Sequence, residues 1–215
     1  MEAGVHPADV LLLAVLVAPI ALYFIFLGLV NSQARPCLVS SRADFAGLTC
    51  ALLPLVAAPM AALARAGMWW MVALHGLLVG LAFARLLPGR SAGWVVYNIS
   101  AEHGRKIVEE ALREAGWGGR WRGRTWRGAG GGLSLTSFPL LRNVTIHLDP
   151  PPDRRDPGAA SLARALEGRL RGVEQLPSAG GACMVMLGVG LLMLPLWMMG
   201  RHIQDLVDAV NHLLG

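Results

Sequence analysis

Residues 10–30 read VLLLAVLVAPIALYFIFLGLV, a run of 21 residues without a charged side chain. An α-helix rises about 1.5 Å per residue, so about 20 apolar residues match the ~30 Å hydrocarbon core of a bilayer. Similar runs cover residues 45–64, 67–84 and 182–200. The composition agrees, because charged residues make up only 15% of the chain, whereas soluble domains contain about 25%. The sequence predicts a membrane α-helical bundle of four transmembrane helices.

Basic residues are distributed unequally between the two sides of these predicted spans. Of the 19 basic residues, all but Arg65 and Arg201 fall on the side that holds the long hydrophilic segment between spans three and four. Loops rich in Lys and Arg stay in the cytoplasm. We therefore expect a multi-pass protein of the cell inner membrane with both termini outside. The strong preference for Arg over Lys indicates a bacterial source.

The hydrophilic segment predicts a small α+β cytoplasmic domain, inserted over residues 91–178 between a membrane region at 1–90 and another at 179–215. Its predicted order is β-α-β-β-β-α, with strands at 93–99, 119–128, 133–138 and 142–148. Residues 142–148 alternate between apolar and polar, which is typical of a half-buried strand. On the first strand, Val95, Tyr97 and Ile99 are expected to share one face.

The sequence also predicts two helices in the inserted segment and one at the C-terminal end. Ser100 is a favourable N-cap and Gly116 a favourable C-terminal stop, which brackets one helix. Residues 159–173 form a second amphipathic pattern. After the fourth span, residues 201–214 predict an amphipathic C-terminal helix.

An alternating run of arginine and tryptophan is the most distinctive motif. Arg120, Arg122 and Arg124 are expected on one face of the 119–128 strand, with Trp121 and Trp126 interleaved. Such a surface can bind anionic lipid headgroups or a partner protein. It can also be a solvated edge strand that charge protects from aggregation. Nucleic acid is the least favoured partner, because a membrane-tethered domain already lies near anionic lipid.

The third span carries one ionisable side chain and one small-residue motif. His75 lies in mid-span, where a titratable residue marks either a functional group or an imidazole that hydrogen-bonds between helices. Gly76 and Gly80 form a GxxxG motif, which lets another helix approach closely, within the bundle or from a second copy. Without an intramembrane carboxylate to pair with His75, a proton-coupled pathway is the weaker interpretation.

Motifs for catalysis, metals and cofactors are absent from the sequence. Cys37, Cys50 and Cys183 lack CxxC spacing, and no nucleophile or zinc-ligand pattern occurs. We therefore expect no metal or cofactor and a non-catalytic role in structure, regulation or assembly. The expected partners are membrane lipids with a partner protein or a second copy. The alternative is a transporter or channel component whose path is lined by His75 and proline-broken helices.

Overall fold

The computed structural model describes residues 7–89, 93–128, 131–149, 157–176, 178–204, 207–208 and 211. Within them it has six α-helices and six strands. The helices are α1 (Pro7–Asn31), α2 (Ser41–Arg65), α3 (Trp69–Leu86), α4 (Ala101–Glu114), α5 (Pro157–Arg171) and α6 (Ala179–Arg201). The strands are β1 (Cys37–Ser40), β2 (Gly93–Tyr97), β3 (Gly119–Arg122), β4 (Thr125–Gly128), β5 (Gly131–Phe138) and β6 (Asn143–Asp149).

Four of these helices, α1, α2, α3 and α6, are long and apolar enough to cross a membrane. They coincide with the four runs found in the sequence. Of the predicted C-terminal helix, Arg201 ends α6, His202 lies in a turn, and residues 203–204, 207–208 and 211 are helical, while its other residues lie outside the described part of the chain.

The chain divides into two compact units. One, the helical unit, contains Leu48–Phe83 and the described parts of residues 1–26 and 184–215. The other, the sheet unit, contains Leu27–Gly47 and Ala84–Cys183. The sheet unit therefore contains strand β1, the end of α1 and the start of α2, in addition to the inserted segment.

The sheet unit is built on an antiparallel sheet in the order β1-β2-β6-β5-β4-β3. The predicted sheet had four strands, and two features correct it. β1 was missed because four residues between two apolar runs give no alternating pattern. The predicted single strand over 119–128 is wrong, because Gly123 adopts φ +63° and reverses the chain.

Helices α4 and α5 pack on each other and on one face of the sheet, as predicted. One face of the sheet is apolar across its strands, with the cross-strand pairs Val96–Val144, Ile146–Leu135 and Leu133–Trp126. The helices contribute the buried stripes Ile107, Val108, Ala111 and Leu112 of α4 and Leu162, Leu166 and Leu170 of α5. Burial of this continuous apolar surface is the main stabilising term of the unit.

The predicted ends of α4 are confirmed. The Ser100 hydroxyl accepts a hydrogen bond from the backbone N–H of His103, at 3.3 Å. Gly116 has φ +76°, the left-handed conformation that commonly ends a helix.

Asn98 makes a buried polar junction between the end of β2 and the end of α1. It is fully buried and has φ +55°. Its backbone N–H donates to Oδ1 of Asn31 at 3.2 Å, and its Nδ2 donates to the carbonyl of Gln33 at 2.6 Å. Because the left-handed residue interrupts the strand, Ile99 joins the helix-side core with Val96. The predicted common face of Val95, Tyr97 and Ile99 is therefore wrong.

Within the helical unit, Gly188 of α6 lies directly against α1. A Cβ at this position would come within 2.6 Å of the Ala21 carbonyl oxygen and of Cγ1 of Ile25. A Cβ on Gly190, two residues further, would meet nothing within 4 Å. Gly188 therefore allows a backbone approach that any larger residue prevents.

We expect Gly188→Ala to destabilise the helical unit by about 1–3 kcal/mol, the usual cost of overpacking. Gly190→Ala is the matched control and should leave stability unchanged or slightly raised, because alanine is the better helix former. Thermal unfolding of both full-length variants in detergent measures the difference. Equal midpoints for the two variants would contradict the close α1–α6 packing.

Candidate functional site

The hairpin of β3 and β4 forms one edge of the sheet and carries the arginine and tryptophan run. Trp121 lies opposite Trp126, Arg120 opposite Arg127, and Arg122 opposite Thr125. Residues directly opposite on antiparallel strands share a face, and neighbours along a strand alternate. The hairpin therefore has a tryptophan face toward α4 and an arginine face on the other side. We call Arg120, Arg122 and Arg127 the arginine face.

Arg124 does not belong to the arginine face. It lies in the turn between β3 and β4, where its carbonyl accepts a hydrogen bond from the Leu135 N–H at 2.9 Å. The sequence placed Arg124 in line with Arg120 and Arg122 because the period of two was continued through Gly123. The chain reverses there instead.

Arg127 was missed for the same reason. On a single strand, residues 120 and 127 point to opposite sides, whereas the fold-back places them directly opposite on one face. The signal that could have found it is Gly123, because glycine at the first central position of a two-residue turn is typical of a hairpin.

The arginine face is exposed and has no carboxylate partner among the described residues. The ion pairs among the described residues all lie on α4 and α5. They are Glu102–Lys106, Glu109–Arg113 and the bridges from Arg169 to Glu110 and Glu114. The hydrogen bond and charge of Lys106 hold the pKa of Glu102 below its ordinary value. The hydrogen bond and charge of Glu114 likewise raise the pKa of Arg169. These acidic groups are thus engaged within the helix layer.

Like charges directly opposite on a sheet destabilise it. Arg120 and Arg127 form such a pair, and Arg122 follows on the same face. An external anion that faces them removes this repulsion. The arrangement therefore suits a negatively charged surface.

The two tryptophans of the hairpin lie on the opposite face, toward α4. Trp126 is 3% exposed and its ring centroid lies 6.1 Å from that of Trp117. Trp121 is half-buried, and the Arg105 guanidinium lies 5.0 Å from its ring centroid. Both residues were predicted to contact a lipid or a partner, but this geometry separates them from the surface that the arginine face presents.

Two glycines make room for the Trp126 ring. A Cβ on Gly119 would lie 2.4 Å from Cζ2 of Trp126, and one on Gly128 would lie 2.5 Å from its Cη2. Gly128 ends the segment 119–128 that the sequence predicted as a single strand. In the structure Gly128 is the last residue of β4, and the Trp126 ring occupies the space that its side chain would need.

His75 and the GxxxG motif lie in the helical unit. Nε2 of His75 is 3.3 Å from the Val56 carbonyl oxygen on α2, a distance at which the Nε2–H tautomer donates a hydrogen bond. A Cβ on Gly76 would meet Cε of Met60 at 3.4 Å, whereas one on Gly80 would meet nothing within 4 Å. Gly76 thus faces α2, and Gly80 faces open space.

Metal-ligating side chains are not clustered in the described part of the chain. Cys37, Cys50 and Cys183 are free thiols, and burial raises the pKa of the Cys37 thiol. Comparisons of the chain with protein-family models, with curated proteins and with solved structures find no match.

Gly119→Ala should destabilise the hairpin by about 1–3 kcal/mol, because its methyl group overlaps the Trp126 ring and the Arg127 carbonyl. Gly118→Ala, the adjacent control, adds a methyl group in open space. Amide hydrogen exchange of β3 and β4 in the full-length chain measures the effect. Equal protection in the two variants would refute the packing role of Gly119.

Proposed function

We propose that this chain is a multi-pass protein of a bacterial inner membrane with a non-catalytic role in structure, regulation or assembly. Its sheet unit docks on anionic lipid through Arg120, Arg122 and Arg127. The observation that carries the proposal is the arginine face, for which the described residues offer no carboxylate partner, on a unit that is continuous with membrane-length helices.

Strand pairing and charge together support a cytoplasmic position for the sheet unit. β1 precedes α2 and β2 follows α3, yet the two strands pair from Cys37–Tyr97 to Ser40–Trp94. This pairing requires that both strands lie on the same side of the membrane. They do so if α2 and α3 each cross the membrane once, because the chain then leaves that side and returns to it. The excess of basic residues on that side favours the cytoplasm.

Lipid is favoured over a soluble acidic protein because of proximity. The cytoplasmic leaflet is negatively charged, and each Arg near it gains about 1 kcal/mol. That attraction decays over a Debye length, roughly 10 Å at 0.1 M salt. A unit whose chain leads directly into membrane-length helices remains close to such a surface without a separate binding event.

A transport path lined by His75 is the second function that the sequence suggested. The contact between His75 and the Val56 carbonyl favours a structural role, because it uses the imidazole to satisfy a backbone group between α2 and α3. We therefore do not adopt the transport interpretation.

The docking proposal is tested with the full-length chain in nanodiscs. A fluorophore is attached at Gly118→Cys, in the exposed loop before β3, after the native cysteines are replaced by serine. Quenching by headgroup-labelled lipid should be stronger in discs of phosphatidylcholine with phosphatidylglycerol than in discs of phosphatidylcholine alone. Added salt should weaken the difference.

Replacing Arg120, Arg122 and Arg127 together by Gln should abolish most of this difference. The control variant replaces Arg113, Arg164 and Arg171 by Gln, which removes the same charge from exposed positions on α4 and α5. The proposal fails if both variants respond alike, or if quenching is independent of lipid charge. A lipid-independent result would leave an acidic partner protein as the ligand of the arginine face.

A further inference from the structure

The sheet has a second side, opposite the side that α4 and α5 cover. Side chains alternate along a strand. Tyr97 therefore lies on the second side, because its neighbour Val96 belongs to the helix-side core. Phe138 lies there too, because it is three residues from the core residue Leu135. At the hairpin, the arginine face belongs to the same side of the sheet.

Membrane-length helices adjoin both ends of the β1–β2 pair. Asn98, which follows β2, donates its backbone N–H to Asn31, the last residue of α1. β1 leads directly into α2, and the Tyr97 hydroxyl donates a hydrogen bond to the Asp44 carboxylate in the first turn of α2. Because Tyr97 points to the second side, α2 begins on that side of the sheet. If α2 crosses a membrane, the second side faces the lipid.

Two large apolar side chains of the sheet unit are exposed outside the membrane-length helices, among the residues that the structure describes. They are Phe138, which is 56% exposed, and Leu176, which is 84% exposed. The core residues of β5 and β6 are at most 9% exposed. Phe138 and Leu176 thus lack the apolar surroundings that stabilise the other large apolar residues of this sheet.

Arg142 places these two side chains at the same end of the sheet. Its guanidinium donates to Oε1 of Gln175 at 3.0 Å and to the Leu176 carbonyl at 3.4 Å. The next residue, Asn143, lies directly opposite Phe138. Leu176 is three residues before α6, which places it within about 11 Å of the first residue of that helix. Both exposed side chains therefore lie at the end of the sheet next to the start of α6.

We propose that Phe138 and Leu176 insert into the boundary between the headgroups and the acyl chains of the membrane that α6 crosses. Apolar groups of interfacial segments are buried about 5–10 Å into this boundary. The bilayer is favoured over a partner protein because the chain itself brings both side chains to it. Leu176 is held there by its short distance from α6, and Phe138 by the side of the sheet on which α2 begins.

This apolar anchor differs from the docking of the arginine face. Its driving force is the burial of apolar surface, which requires no charge on the lipid, whereas the arginine face responds to anionic headgroups. The anchor shares with the proposed function only the assignment of the membrane-length helices as spans. Anchoring and docking can therefore succeed or fail separately.

The test measures depth by electron paramagnetic resonance, with the full-length chain in nanodiscs of phosphatidylcholine alone. A nitroxide is attached at Phe138→Cys or at Leu176→Cys after the native cysteines are replaced by serine. Oxygen concentrates among acyl chains, whereas a nickel chelate stays in water. Both labels should be reached by oxygen and shielded from the chelate. Arg113→Cys, exposed on α4 on the other side of the sheet, is the control and should be reached by the chelate.

A second measurement tests the native side chains. A fluorophore is attached at Thr136→Cys, an exposed position on the second side two residues before Phe138. In phosphatidylcholine, lipid labelled on its acyl chain should quench this fluorophore. Phe138→Gln combined with Leu176→Gln should abolish most of the quenching. Replacing the arginine face by Gln should leave most of it, which separates the anchor from the docking proposed above.

The anchor is refuted if the labels at 138 and 176 meet the chelate as readily as the label at 113. Shielding that appears only after phosphatidylglycerol is added would also contradict it, because the arginine face would then supply the attraction. Exclusion of both oxygen and the chelate would assign the two side chains to a protein contact instead. Unchanged quenching in the double Gln variant would likewise overturn the proposal, and circular dichroism verifies that each variant is folded.

Discussion

The pairing of β1 with β2 is the constraint on which the rest of the sheet unit depends. It joins a strand from the connection between α1 and α2 to a strand that follows α3. Asn98 reinforces this join, because its bonds to Asn31 and Gln33 tie the end of β2 to the end of α1. Leaving those buried groups unpaired would cost about 1–3 kcal/mol each. The edge of the sheet is therefore tied to the segment that connects α1 to α2.

The opposite edge of the same sheet carries the proposed docking surface. The hairpin of β3 and β4 separates its arginines from its tryptophans by strand alternation alone. One face is thereby free to meet an anionic surface, and the other closes a cleft against α4. Gly119 and Gly128 make room on the tryptophan face, because their lack of a Cβ lets the Trp126 ring lie beneath the hairpin.

Sequence patterns predicted the features that depend on local periodicity or capping. The four apolar helices, the α4 boundaries at Ser100 and Gly116, and the inward row of β6 are confirmed. Features that depend on contacts with other segments of the chain could not be predicted from these patterns. β1 is defined only by its partner β2, and Arg127 joins the arginine face only because the chain reverses at Gly123.

The central proposal is that β1 and the hairpin lie on the cytoplasmic side of the membrane while the α2–α3 turn lies outside. Its most direct test labels single cysteines at positions 35, 66 and 118 in spheroplasts with a membrane-impermeant maleimide, in a chain whose native cysteines are serine. Position 66 should react at once, and positions 35 and 118 only after permeabilisation. Reaction of 118 in intact spheroplasts, or opposite sides for 35 and 118, would contradict the account.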